Sequence, residues 1–221
     1  MYRYLLFDLD GTLTDPAEGI TSCVSYALAH FGIHADPKAL TAFIGPPLRE
    51  QFMEYAGFDS DTAEQAVAKY RERYSTTGIF ENRVLDGIPS LLARLRDDGY
   101  ILCVSSSKPE VFVVRTLEKF GLADLFTVTV GSELDGTRVK KAEVIEETLR
   151  RLACRFPSED FTDRSACLMI GDRIYDIDGA AACGMDAVGV SFGYAAPGEL
   201  ESSCARAVIH TPNALLAFLK A

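Results

Sequence analysis

Asp8 and Asp10 close an apolar run, Tyr4-Leu5-Leu6-Phe7, and are followed at once by Gly11 and Thr12. Side chains alternate along a strand, so the two carboxylates point the same way while Leu9 between them points into the packing. Like charges that close repel and raise at least one of the pair above the ~3.9 of a free aspartate. Such a pair needs a cation, a proton or both. It suits an ionised nucleophile standing beside a proton donor. A DxDG stretch also occurs in turns and in calcium loops. A calcium loop, however, continues with oxygen ligands to a terminal Glu between two helices, whereas here Leu-Leu-Phe precedes and Leu13 follows. Gly11 is read as a backbone requirement, because a turn this tight tolerates no Cβ.

The elements that must hold these acids can be read along the chain. Asp15, Pro16 and Glu18 have the spacing of a capped helix start. Ile20, Cys23, Val24, Ala27, Leu28 and Phe31 then recur at helical intervals up to Gly32. Further helices are predicted at 37–43, 47–56 and 60–76 with no strand among them, so 16–83 is expected to form an all-helical domain. From Val84 helices alternate with apolar strands. Helices at 88–98, 109–120, 140–153 and 175–183 lead to strands at 101–104, 126–130, 166–170 and 187–190, before a strand near 207–209 and a helix at 212–219. That alternation predicts an α/β core of residues 1–15 and 84–221, a Rossmann-like parallel sheet with helices on both faces. Such sheets bind ligands beyond the carboxyl ends of their strands.

Composition narrows the partners. At 48 % hydrophobic and 24 % charged, the 221 residues are an ordinary globular composition with ample core. A formal net charge of −10 argues against a nucleic acid polymer or an anionic membrane. No apolar stretch approaches the ~20 residues that span a bilayer, and Asp8 interrupts what would be a signal sequence. The six cysteines are scattered without a CxxC pair, so reduced, mostly buried thiols are expected. A cytoplasmic protein, a monomer or weak dimer, fits these features.

The predicted strand ends are chemically coherent. Ser105, Ser106, Ser107 and Lys108 follow the second strand of the core, Lys140 and Lys141 stand before the helix leading to the fourth, and Gly171, Asp172 and Asp176 follow the fourth. In this order the chain resembles the haloacid dehalogenase superfamily phosphatases with an inserted helical cap, close to the phosphoglycolate phosphatase group. The matching motifs are Asp8-Leu9-Asp10-Gly11-Thr12, Val104-Ser105-Ser106-Ser107-Lys108-Pro109, Lys141-Ala142-Glu143-Val144-Ile145 and Gly171-Asp172-Arg173-Ile174-Tyr175-Asp176.

The resemblance implies a Mg²⁺-dependent phosphomonoesterase acting on a small phosphorylated metabolite. Asp8 would be the nucleophile, forming an aspartyl-phosphate, and Asp10 the general acid and then base. Mg²⁺ would sit between Asp8, Asp172 and the backbone carbonyl of Asp10. Ser106 and Lys141 would stabilise the phosphoryl group, with Gly11, Thr12, Ser107 and Lys108 around the substrate. Ser105 competes with Ser106, and Lys140 with Lys141. Asp176, four residues after Asp172, is placed on the same helical face as its orienting neighbour. Arg49, in Gly45-Pro46-Pro47-Leu48-Arg49, is the candidate for a second anionic group on the substrate. Glycolate, nucleoside, sugar and pyrophosphate all remain open as leaving groups. The Ser-Ser-Ser-Lys run departs from the Thr-Asn-Lys usual in these phosphatases and keeps a β-phosphoglucomutase-type mutase as an alternative. A 2-haloacid dehalogenase needs neither Asp10 nor Asp172, because a halide leaves without a proton.

Overall fold

The computed structural model describes residues 2–220. Along the chain run β1 (Tyr4–Phe7), β2 (Thr14–Asp15), α1 (Ala17–His30), α2 (Leu48–Ala56), α3 (Ser60–Tyr74), β3 (Arg83–Val84), α4 (Ile88–Asp97) and β4 (Ile101–Pro109). They are followed by α5 (Glu110–Lys119), β5 (Val128–Ser132), α6 (Lys141–Arg155), β6 (Cys167–Gly171), α7 (Ile174–Ala182), β7 (Asp186–Val190), β8 (Val208–Ile209) and α8 (Pro212–Lys220). The chain divides into two compact units. One holds the residues up to Thr14 and those from Val84 on; the other is Asp15–Arg83.

The first unit is built on a six-stranded parallel sheet in the order β5-β4-β1-β6-β7-β8. Strand order reverses between β1 and β6, which opens a crevice outside their carboxyl ends. Register aligns the chemistry there. Phe7 lies opposite Val104 on one side and Ile170 on the other, so Asp8, Ser105 and Gly171 emerge in one row. Alternation then decides which face each side chain takes. Leu5, Phe7, Val104 and Ile170 pack under α4, α5 and α8, while Leu6, Cys103 and Met169 pack under α6 and α7. Asp8 has the parity of Leu6 and so faces α6 and α7. Each fully buried Leu or Phe in these layers contributes about 1.5–3 kcal/mol.

The second unit is helical. Val24, Ala27 and Leu28 of α1 and Ala63, Ala66, Val67 and Tyr70 of α3 are buried within it, and Tyr70 stacks on Tyr74. The predicted helix over 37–43 is instead two 3₁₀ turns, Pro37–Ala39 and Thr41–Phe43. A segment this short yields too few α-helical hydrogen bonds to offset nucleation, and Asp36 caps its first turn by accepting from the Lys38 N–H at 3.0 Å. Asp15 does not form the expected capping box. Pro16 takes the N-cap position of α1, and Asp15 accepts from the Ala17 N–H at 3.2 Å with one oxygen and from Arg83 at 2.6 Å with the other.

Strand boundaries also differ from expectation, most at β5 and β4. β5 starts at Val128 rather than Phe126, because Phe126 N–H closes the turn Ala123–Leu125 by donating to Ala123. β4 runs on to Pro109, but its register against β5 shifts between Ser105 and Pro109. Such irregularities re-aim side chains at strand ends. Among the described residues no helix is long and apolar enough to cross a membrane. All six cysteines are free; Cys23, Cys103, Cys167 and Cys183 are buried, and Cys154 and Cys204 are exposed.

Candidate active site

Lys141 is the first residue of α6, and its buried ammonium lies among three oxygens. Its Nζ is 2.7 Å from Asp8 Oδ1, 2.7 Å from Asp176 Oδ1 and 3.1 Å from the Ser105 carbonyl. Those partners match the three N–H donors of an ammonium. Burial by itself would lower the lysine pKa, but Asp176 and Asp8 more than offset it, and the shift is upward. Lys140, one residue earlier, is exposed. Of the two lysines, Lys141 is the one brought to Asp8.

Asp172 follows β6 and is also buried. Its Oδ2 accepts from the Tyr194 N–H at 2.7 Å, and its Oδ1 accepts from the Thr12 hydroxyl at 3.4 Å. Backbone packs tightly against it. A Cβ on Gly11, whose φ is +85°, would lie 2.1 Å from Asp172 Oδ2, and one on Gly193 would lie 2.4 Å from the same oxygen. Burial first, then repulsion from Asp176 and Asp8, lifts the Asp172 carboxyl well above the ordinary carboxylate range.

Carboxylate oxygens of Asp8, Asp172 and Asp176 lie within 4.8 Å of one another. At about 4 Å and an effective dielectric of ~20, a like-charge pair costs ~4 kcal/mol, and the Lys141 ammonium is paired with two of these three carboxylates, Asp8 and Asp176. A hard divalent cation with oxygen ligands relieves that excess, so the donor set fits Mg²⁺. Asp176 stands closer to this centre than the sequence suggested, and for a different reason. Asp172 precedes α7 and shares no helical face with it; Asp176 is drawn in by Lys141 and by the Arg173 N–H, which donates to its Oδ2 at 3.0 Å. Burial raises its carboxyl and Lys141 opposes the rise.

Asp10 is held by Lys108, whose Nζ lies 2.8 Å and 2.7 Å from its two oxygens. Lys108, expected beside the substrate, is therefore first a partner of Asp10. Burial pushes the Asp10 carboxyl up, with Lys108 pulling against it. The serines separate cleanly. Ser105 Oγ is hydrogen-bonded to Thr148 Oγ1 at 3.1 Å inside the α6 face, whereas Ser106 Oγ accepts from the Lys108 N–H at 3.4 Å. Ser107 is half-buried and its carbonyl accepts from Ser132 at 2.8 Å. Arg49, in the helical unit, is exposed and donates to Ser60 Oγ.

Residues 5–190 match the model of the haloacid dehalogenase-like hydrolases. The chain belongs to this family. It is 47 % identical over 202 residues to a 5'-nucleotidase of Pseudomonas aeruginosa, covering 91 % of this chain and 88 % of that one. It is 39 % identical to the tyrosine-protein kinase PtkA of Mycobacterium tuberculosis, over 94 % of this chain and 68 % of the relative. A plasmid-borne phosphoglycolate phosphatase of Cupriavidus necator is 32 % identical, over 97 % and 92 % respectively. The crystal structure of a predicted phosphatase from Clostridium acetobutylicum superposes with a TM-score of 0.89 at 43 % identity, covering both chains fully.

In this hydrolase several groups around the acids carried no signal in the motifs. Thr148 holds Ser105 from within α6, and Gly193 and the Tyr194 N–H abut Asp172 from the loop after β7. Gly193, three residues after the predicted strand 187–190, is the one sequence hint to that loop.

Proposed function

We propose that this hydrolase is a Mg²⁺-dependent phosphomonoesterase working through a phosphorylated Asp8. The observation that carries the reading is the Asp8 carboxylate held at Oδ1 by Lys141, with Asp172 and Asp176 around it and Asp10 two residues on. Lys141 leaves the other Asp8 oxygen for attack on phosphorus. As that O–P bond forms, the ester P–O bond breaks and Asp10 gives its proton to the departing alkoxide. Asp10 then takes a proton from water, which attacks the phosphorus and frees Asp8 and phosphate. The Ser106 hydroxyl and neighbouring backbone N–H groups bind phosphoryl oxygens. A bound Mg²⁺, held by Asp8, Asp172 and the Asp10 carbonyl, would neutralise charge on the phosphoryl group.

Among substrates, nucleoside 5'-monophosphates come first, because the 5'-nucleotidase relative is the more similar and matches over most of its length. Phosphoglycolate is the second reading, supported by the phosphoglycolate phosphatase relative. Phosphate release from a panel of both classes, with and without excess EDTA, tests the proposal. Chelation is expected to stop release, and release that continues unchanged in EDTA sinks the metal-dependent mechanism.

A substrate contact by Arg49 is tested by comparing phosphoglycolate with an aryl phosphate. Phosphoglycolate carries a carboxylate that a guanidinium could hold, whereas an aryl phosphate offers no such group. Losing a charge-assisted hydrogen bond costs about 1.5–3 kcal/mol, so Arg49→Ala is expected to lower kcat/KM for phosphoglycolate roughly 10–150-fold and to spare the aryl ester. Equal loss on both would place Arg49 in phosphate binding or folding, and no loss on either would leave it a surface residue.

A further inference from the structure

The loop after β7 is tied down by a side chain that the reaction itself does not use. Glu199 is largely buried, and each of its oxygens is engaged. Oε1 accepts from the Ile174 N–H at 2.7 Å and from Arg173 Nε at 2.9 Å, both at the start of α7. Oε2 accepts from the Ala196 N–H at 2.8 Å, within the loop itself. One carboxylate therefore fastens the loop to the first turn of α7. Leu200 beside it is buried, and a Cβ on Gly189 of β7 would lie 2.8 Å from its side chain.

Both ends of this fastening reach the acidic cluster. From the loop, the Tyr194 N–H takes Asp172 Oδ2, while Oδ1 accepts the long 3.4 Å bond from Thr12. From the α7 side, the Arg173 N–H takes Asp176 Oδ2. We infer that Glu199 is a positioning residue for the cation site, acting through the Tyr194 and Arg173 N–H groups to fix which oxygens Asp172 and Asp176 present. The inference rests on the reading that Asp172 holds Mg²⁺. Groups that orient metal ligands from behind are worth roughly 10–100-fold in metal affinity.

Calorimetric titration of Mg²⁺ into the parent protein, Glu199→Ala and Glu199→Gln, each with its Tm, tests it. Glu199→Ala is expected to bind Mg²⁺ roughly 10–100-fold more weakly than the parent. Glu199→Gln keeps one acceptor oxygen and is expected to fall between the two. A lower Tm with Mg²⁺ affinity within twofold of the parent marks a purely structural residue and overturns the inference. If Glu199→Ala does not fold, Glu199→Gln decides by the same criterion. A parent protein that binds no Mg²⁺ overturns the metal reading and this inference together, whereas a binding parent with equally binding variants overturns this inference alone.

Discussion

Asp8→Asn is expected to abolish turnover on every phosphate ester. An amide oxygen at this position can still accept from Lys141 Nζ, now 2.7 Å away, and Lys141 keeps its second carboxylate partner in Asp176. The site should therefore stay assembled while losing its nucleophile. A carboxylate is ionised at neutral pH and attacks without an activating base; a neutral amide does not. Phosphate release and trapping of a phosphorylated protein, measured side by side, check the result. A phosphoenzyme trapped on the Asp8→Asn protein would refute the assignment, because phosphorus would then be bonding elsewhere.

Asp10→Asn is expected to slow both chemical steps on an alkyl ester by the 10²–10⁴-fold typical of a general acid–base. The two steps should respond differently to the substrate. An alkoxide leaving group needs its proton, whereas an acidic phenol departs without one. With an aryl phosphate the variant should therefore phosphorylate Asp8 at close to the parent rate. Hydrolysis of the intermediate still lacks its base, so a burst of phenol followed by slow turnover is expected. Burial lifts the Asp10 carboxyl, which favours the protonated form required by the first step, and Lys108 limits that rise. Equal slowing of aryl and alkyl esters in the first turnover would remove Asp10 from the role of acid.

The parts of the site that were legible in the sequence are those written in consecutive residues at strand ends. Asp8 and Asp10 stand out because the fully buried apolar run of β1 ends at Phe7. Lys141 is distinguished from Lys140 by one position at the start of α6, since only the first helical residue turns its side chain toward Asp8. Other features were hidden for physical reasons. The Tyr194 N–H that takes Asp172 is a backbone group, and every residue but proline has one. Glu199 reads as an ordinary surface acid until the loop folds back on α7. The relation of Asp176 to Asp172 was misread because an interval of four suggests a helical face, while the helix begins only at Ile174. In the helical unit, residues 37–43 showed that apolar spacing without length does not make an α-helix.

The pairing of β2 with β3 bears on how this chain can change over evolutionary time. The helical insertion leaves at Thr14–Asp15 and returns at Arg83–Val84, and Arg83 is joined to Asp15 at 2.6 Å. Its two ends are thus neighbours. For the sheet, an insertion with adjacent ends is one closed excursion, and loop-closure entropy grows only logarithmically, by about 0.6 kcal/mol for each doubling of length. The excursion can be lengthened, shortened or replaced with little penalty to the strands that carry Asp8 and Asp172. On the proposed reading of Arg49 as a substrate contact, selection on recognition and selection on phosphoryl transfer proceed on separate stretches of the same gene.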